Sequence, residues 1–116
     1  MKDIGEKVKF RKENSIGVVR LLGEFDTEDR EPLIVYFDDK MREGIKHFIV
    51  DLSETVYIPS AVWGALITIL KHARENGGDV YICGLNGQPA KVFHVMSFDK
   101  VFKTFKDSYE ALNNLR

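Results

Sequence analysis

A single cysteine, Cys83, stands in 116 residues, which excludes an internal disulfide and a C-x-x-C redox pair. Lying in the apolar run Val80-Tyr81-Ile82-Cys83, its thiol reads as a small buried hydrophobe. Basic excess is missing too: 17 Lys and Arg against 18 Asp and Glu leave a formal charge of −1. The basic residues are spread among acids, as on a solvated surface, so nucleic-acid binding is not expected. The longest apolar stretch, Ala61 to Leu70, is interrupted by Thr68 and falls far short of the about 20 residues that span a bilayer. No apolar h-region appears in Met1-Lys2-Asp3-Ile4-Gly5-Glu6-Lys7, so no secretory leader is expected and the chain reads as soluble and cytoplasmic. Internal repeats, low-complexity tracts and Pro/Gly/Ser linkers are absent, which reads as one domain over residues 1–116.

Patterns that carry chemistry are missing as well. The three histidines, His47, His72 and His94, lack the close spacing of a metal pair and have no cysteine partner. No G-x-S-x-G elbow supports Ser/His/Asp catalysis. Gly84-Leu85-Asn86-Gly87 is a turn and fits neither phosphate-loop pattern. The expectation is no metal, no cofactor and no enzyme.

What is present is a mix of 44% apolar and 30% charged residues, the balance of an ordinary soluble domain. Lys7 to Arg11 alternates as a half-buried strand does, Asn14 to Gly17 reads as a turn, and Val18 to Leu22 as an antiparallel partner strand. After Gly23-Glu24-Phe25-Asp26 a helix is expected, entered through Asp26 or Thr27 with Pro32 in its first turn. Leu33, Phe37 and Met41, with Ile34 beside them, form its buried stripe, and Gly44 stops it. His47 to Leu52 is apolar without alternation and suits a central strand.

A helix follows from Ser60 to about Asn76, with Trp63, Leu66, Ile67 and Leu70 on one face and Gly77-Gly78 ending it. Asp79 to Cys83 reads as a buried strand, Pro89 to Met96 as a short helix, and Val101 to Phe105 as a strand. Asp107-Ser108-Tyr109-Glu110 has capping-box spacing, so a last helix runs to Leu115. The order is ββαβαβαβα, an α/β fold in which a mixed sheet carries helices packed against it.

Ser60 is the candidate control point. It follows Pro59 and precedes an unbroken helical pattern, which reads as an N-cap hydroxyl worth ~1 kcal/mol. The same position places a phosphate against free amides at the positive end of a helix, where it adds up to about two negative charges to a partner surface. Both roles are compatible in one protein. Trp63, three residues on, is open to a core reading and to one at the exposed tip.

Gly23-Glu24-Phe25-Asp26 resembles the G-E-[IL]-D segment of anti-sigma-factor antagonists of the STAS domain family. Val50-Asp51-Leu52-Ser53 and then Tyr57 to Gly64 are similar to that family's V-D-L-S…[FY]-[IM]-D-S-[ST]-G-L-G block. Gly77 to Ile82, Val92 to Met96, Phe98 and Glu110-Ala111-Leu112 extend the likeness over nearly the whole chain. Three positions depart from it: Pro59 stands where the family has aspartate, Ala61 replaces a hydroxyl, and Val62 replaces a glycine.

The resemblance implies a bacterial switch in transcription regulation, bound by an anti-sigma factor that is also a serine kinase. Phosphorylation at Ser60 releases that partner, and a cognate serine phosphatase resets the site. Carried over residue by residue, the partner surface is Glu24, Phe25, Asp26, Thr27, Pro59, Ser60, Ala61, Val62 and Trp63. A monomer or weak dimer is expected. One alternative keeps the fold and drops the switch: a constitutive, unphosphorylated STAS adaptor in a signalling or lipid-transport complex, with Ser60 a plain cap. A third reading is an enzyme or small-ligand binder using the loop ends of the sheet, since fold does not exclude function.

Overall fold

The structure is a computed structural model and describes residues 3–115. Met1 and Lys2 of the segment read for a leader, and Arg116 at the end of the expected domain, lie outside them. Strand β1 (Val8–Glu13) and β2 (Ile16–Leu21) form an antiparallel hairpin over the left-handed pair Asn14 and Ser15. The turn is thus shorter than the expected Asn14 to Gly17. Gly17 already lies in β2, where a Cβ would stand 3.0–3.1 Å from Phe10, Ile45 and Phe48.

Strands β4 (His47–Asp51), β6 (Asp79–Cys83) and β7 (Lys103–Phe105) add in parallel, giving the sheet order β1-β2-β4-β6-β7. Between them run α1 (Arg30–Arg42), α2 (Ser60–Glu75) and α3 (Gly87–Val95), and α4 (Ser108–Leu115) closes the chain. The five sheet strands and four helices follow the expected ββαβαβαβα order. A second, two-stranded parallel ribbon was not expected: β3 (Gly23–Glu24) beside β5 (Thr55–Tyr57). Two and three residues are too short to show a hydrophobic period.

Burial follows the faces of the sheet. Val19, Leu21, Phe48, Val50, Val80 and Ile82 point to the side covered by α1, α2 and α3. Ile16, Val18, Ile49 and Cys83 point to the other side, under Ala111 and Leu112 of α4. Each fully buried aliphatic or aromatic side chain there contributes roughly 1.5–3 kcal/mol by transfer from water.

Two apolar expectations change. Ile67 is exposed, because the buried arc of α2 runs through Val62, Trp63, Ala65, Leu66, Ile69, Leu70 and Ala73. With about 100° per residue, Ile67 is carried past Leu66 and off the edge of that arc. Met41 is only half-buried, since the last turn of α1 opens beside Asn76, whose Nδ2 lies 3.5 Å from Met41 Sδ.

The helix ends rest on local chemistry. Asp26 caps a 3-10 turn, Thr27–Asp29, that leads into α1, and Asp29 reaches back to the Asp26 N–H at 2.8 Å. Pro32 sits in the first turn of α1, as its missing N–H requires. At the last helix Asp107 accepts from the Glu110 N–H at 2.9 Å and Glu110 from the Lys106 N–H at 3.0 Å, a capping box displaced by one residue.

Candidate functional site

The β3–β5 ribbon brings two distant stretches of chain side by side. The Gly23 N–H donates to the Glu54 carbonyl at 2.9 Å and the Phe25 N–H to the Tyr57 carbonyl at 3.0 Å. The turn after β3 therefore lies beside the segment that leads into α2. Glu24, Asp26 and Thr27 are exposed on that turn, and Ser60 is exposed at the start of α2. Pro59 and Ala61 flank it, both half-buried.

Ser60 does not cap the helix. Pro59 is the half-in residue, with extended backbone (φ −77°, ψ 164°), and its carbonyl accepts from the Val62 and Trp63 N–H groups at 3.0 and 3.1 Å. Ser60 is the first residue inside the helix, and its hydroxyl has no hydrogen-bond partner among the described residues. The N-cap expectation placed the boundary one residue late, because the proline carbonyl opens the helix without needing a hydroxyl.

Three residues expected on the surface turn inward. Phe25 is 2% exposed, Val62 0% and Trp63 1%. Trp63 packs against Phe93, Phe98 and Phe102, with ring centroids 5.8, 5.1 and 6.5 Å away, so its core reading holds. Its Nε1 has no hydrogen-bond partner among the described residues. These three side chains support the surface from beneath and do not present themselves to a partner.

Other side chains not singled out in the sequence also line this part of the surface. Val56 and Tyr57 of β5 are 62% and 43% exposed beside the turn. Gln88, in the first turn of α3, reaches the buried Ile58 with both ends of its amide. It accepts from the Ile58 N–H at 2.9 Å and donates to the Ile58 carbonyl at 3.0 Å. That clamp fixes the backbone two residues before Ser60. Arg30 Nη1 donates to the Ala61 carbonyl at 3.3 Å and so ties α1 to the first turn of α2. The exposed Val56-Tyr57 pair was legible as unusual apolar surface only once its neighbours were placed.

Among the described residues the three histidines stand apart. His72 Nδ1 lies 2.9 Å from Asp38 Oδ1 across α1 and α2, while His47 and His94 are exposed. Among the described residues no three His, Cys, Asp or Glu side chains stand close enough to hold a metal ion. Burial, and then the carboxylate of Asp51, push the Cys83 thiol up to about 12, which leaves it protonated and inert near neutral pH. Among the described residues no helix is long and apolar enough to cross a membrane.

A family model described as the STAS domain matches residues 7–111 of the chain. The chain belongs to the STAS domain family. Solved STAS folds share the architecture at low identity. A putative anti-sigma factor antagonist from Thermotoga maritima is 18% identical, with a TM-score of 0.85 over 92% of each chain. An anti-sigma-factor antagonist (STAS) domain protein from Planctomyces limnophilus is 20% identical, with a TM-score of 0.76 over 100% of this chain and 99% of that one. The Bacillus cell fate determinant SpoIIAA in its phosphorylated form is 16% identical, with a TM-score of 0.73 over 94% and 99%. At these identities the likeness is one of fold, and the expected α/β class with its mixed sheet is the one observed.

Proposed function

We propose that this STAS domain is a protein-binding partner switch, held by an anti-sigma factor that is also a serine kinase and released when Ser60 is phosphorylated. The observation that carries the reading is Ser60 itself, exposed at the start of α2 with an unbonded hydroxyl, beside the acidic turn of Glu24 and Asp26. In the transfer the Ser60 oxygen bonds to the terminal phosphorus of a nucleoside triphosphate held by the kinase. The diphosphate leaves and the hydroxyl proton passes to a base of the kinase. A cognate phosphatase restores the hydroxyl by attack of water on phosphorus, with release of inorganic phosphate. SpoIIAA, a neighbour in fold, has a phosphorylated form, which favours a covalent switch here.

The recognition surface in this reading is Glu24, Asp26, Thr27, Val56, Tyr57, Pro59, Ser60 and Ala61. Phosphate adds a charge of about −1.5 to −2 and new bulk at the centre of this surface, where a partner fitted to the bare hydroxyl has no room for it, so the partner is expelled while the fold persists. The protein acts as a binding module in the cytoplasm and not as an enzyme.

Isothermal titration against the purified kinase tests the switch. Ser60→Ala should bind as the unmodified chain does. Ser60→Asp should bind about 100-fold more weakly, because a carboxylate desolvated at an interface without a cationic partner costs several kcal/mol. Its melting curve should barely move, since an acid in the first turn of a helix is well placed. Equal binding by both variants would leave the second reading, a constitutive adaptor. Pro59, Ala61 and Val62, which depart from the family motif around the serine, are what favour that alternative.

A further inference from the structure

The face of α2 that carries Ser60 also carries a guanidinium from another helix. Arg30, the first residue of α1, crosses to α2 and donates from Nη1 to the Ala61 carbonyl at 3.3 Å. A Cβ added at Gly64 would stand 3.3 Å from the same nitrogen. Residues 60 and 64 are four apart and so lie one above the other on the helix surface, and the Cβ of residue 64 is tilted back toward residue 60. Gly64 thus leaves an open lane along Ser60's own face, and the Arg30 side chain occupies it.

This guanidinium has donors to spare. Among the described residues its one hydrogen-bond acceptor is the neutral Ala61 carbonyl, and its ion-pair partner is the exposed Glu31 carboxylate, whose Oε1 lies 3.5 Å from Arg30 Nε. An arginine carries five N–H donors in a planar fork that matches a phosphate. Its head is part-exposed, with a side-chain exposure of 38%, so a new anion reaches it without opening the fold.

We propose that Arg30 is the intramolecular receiver of the Ser60 phosphate: on phosphorylation its guanidinium turns from the Ala61 carbonyl to the phosphate and holds it against α2. This rests on reading Ser60 as the phosphorylation site. It adds that the modified state is latched by this chain's own residue, which holds the phosphate against the first turn of α2. The charges on the adjoining turn and helix start are the exposed acids Glu24, Asp26, Glu28 and Glu31, and the buried Asp29, which Lys7 pairs at 2.7 Å. They raise the phosphate's second ionisation, and Arg30 opposes them.

The test uses the full chain with phosphoserine installed at position 60 during translation, so that no kinase is needed. The phosphate is titrated by phosphorus NMR. Its second ionisation, ordinarily near about 6, should lie about half a unit lower with Arg30 than in Arg30→Gln. Arg30→Lys should recover part of the shift. In the unsubstituted chain the Arg30 Nε–H resonance should move with the same midpoint as the phosphate, which needs no variant to fold. Identical phosphate titrations with Arg30 and with Arg30→Gln, or an Arg30 resonance that ignores the phosphate, would overturn the proposal. A latched phosphate on a chain whose kinase binds both forms equally would instead sink the partner-switch reading and leave Arg30's role standing.

Discussion

Gln88 does at one residue what a strand neighbour does elsewhere. Ile58 is fully buried, between β5 and α2, where no ladder reaches its N–H and carbonyl. The amide of Gln88 supplies both bonds. Its truncation leaves two buried backbone groups unsatisfied, and an unsatisfied group costs about 1–3 kcal/mol. Gln88→Ala should therefore lower unfolding free energy by about 2 kcal/mol in urea denaturation, and loosen the backbone that presents Ser60. Gln88→Glu keeps the acceptor, loses the donor and should fall between. A null effect of Gln88→Ala on stability would show that the clamp is replaced by water. Arg30 and Gln88 were both silent in the sequence because their partners lie 30 or so positions away.

At the scale of elements, the junction of α2 with β6 is decided by two glycines of different kinds. Gly77 has a left-handed backbone (φ +84°) and open space around it. A Cβ at Gly78 would stand 1.7 Å from the Lys46 carbonyl oxygen, and a backbone atom cannot step aside. Their doublet was readable as a helix stop, but not which of the two is intolerant. Gly77→Ala should cost about 1 kcal/mol, the strain of a left-handed alanine. Gly78→Ala should cost ~3 kcal/mol or prevent folding, since the start of β6 must separate from the chain before β4. Thermal melts of the two variants side by side give the comparison, and an equal loss in both would contradict this account. The starts of α1 and α4, by contrast, were written locally, as Asp26 and Asp107 show.

For the whole molecule, the two-sided sheet sets the response to alkali. Cys83 lies on the α4 side of the sheet, fully buried, with its thiol pushed up to about 12. Folded-state ionisation is thus raised above the unfolded value, so the contribution is complete below about pH 9 and is lost as pH rises toward 12. Tyr36 and Tyr81, both raised chiefly by burial, act in the same direction from about pH 10. Unfolding free energy should fall steadily between pH 9 and 11 in guanidinium titrations. Cys83→Ala should flatten the first part of that fall, whatever it does to stability at neutral pH. A slope unchanged by the substitution would mean that the thiol is not the group responsible.

The sequence by itself determined the order of the five main-sheet strands and four helices, the caps at Asp26 and Asp107, the core nature of Leu33, Phe37 and Leu66, and the prominence of Ser60. Each of these is carried by neighbours within a few positions, through hydrophobic period, turn residues and capping side chains. Only the tertiary structure decided that Phe25, Val62 and Trp63 turn inward while Val56 and Tyr57 face out. It alone paired Gly23-Glu24 with Thr55–Tyr57, set Pro59 as the cap in place of Ser60, and laid Arg30 along Ser60's face. The physical reason is separation: the partner of each such group lies in another element, and one chain's local pattern holds no record of which distant surface will meet it.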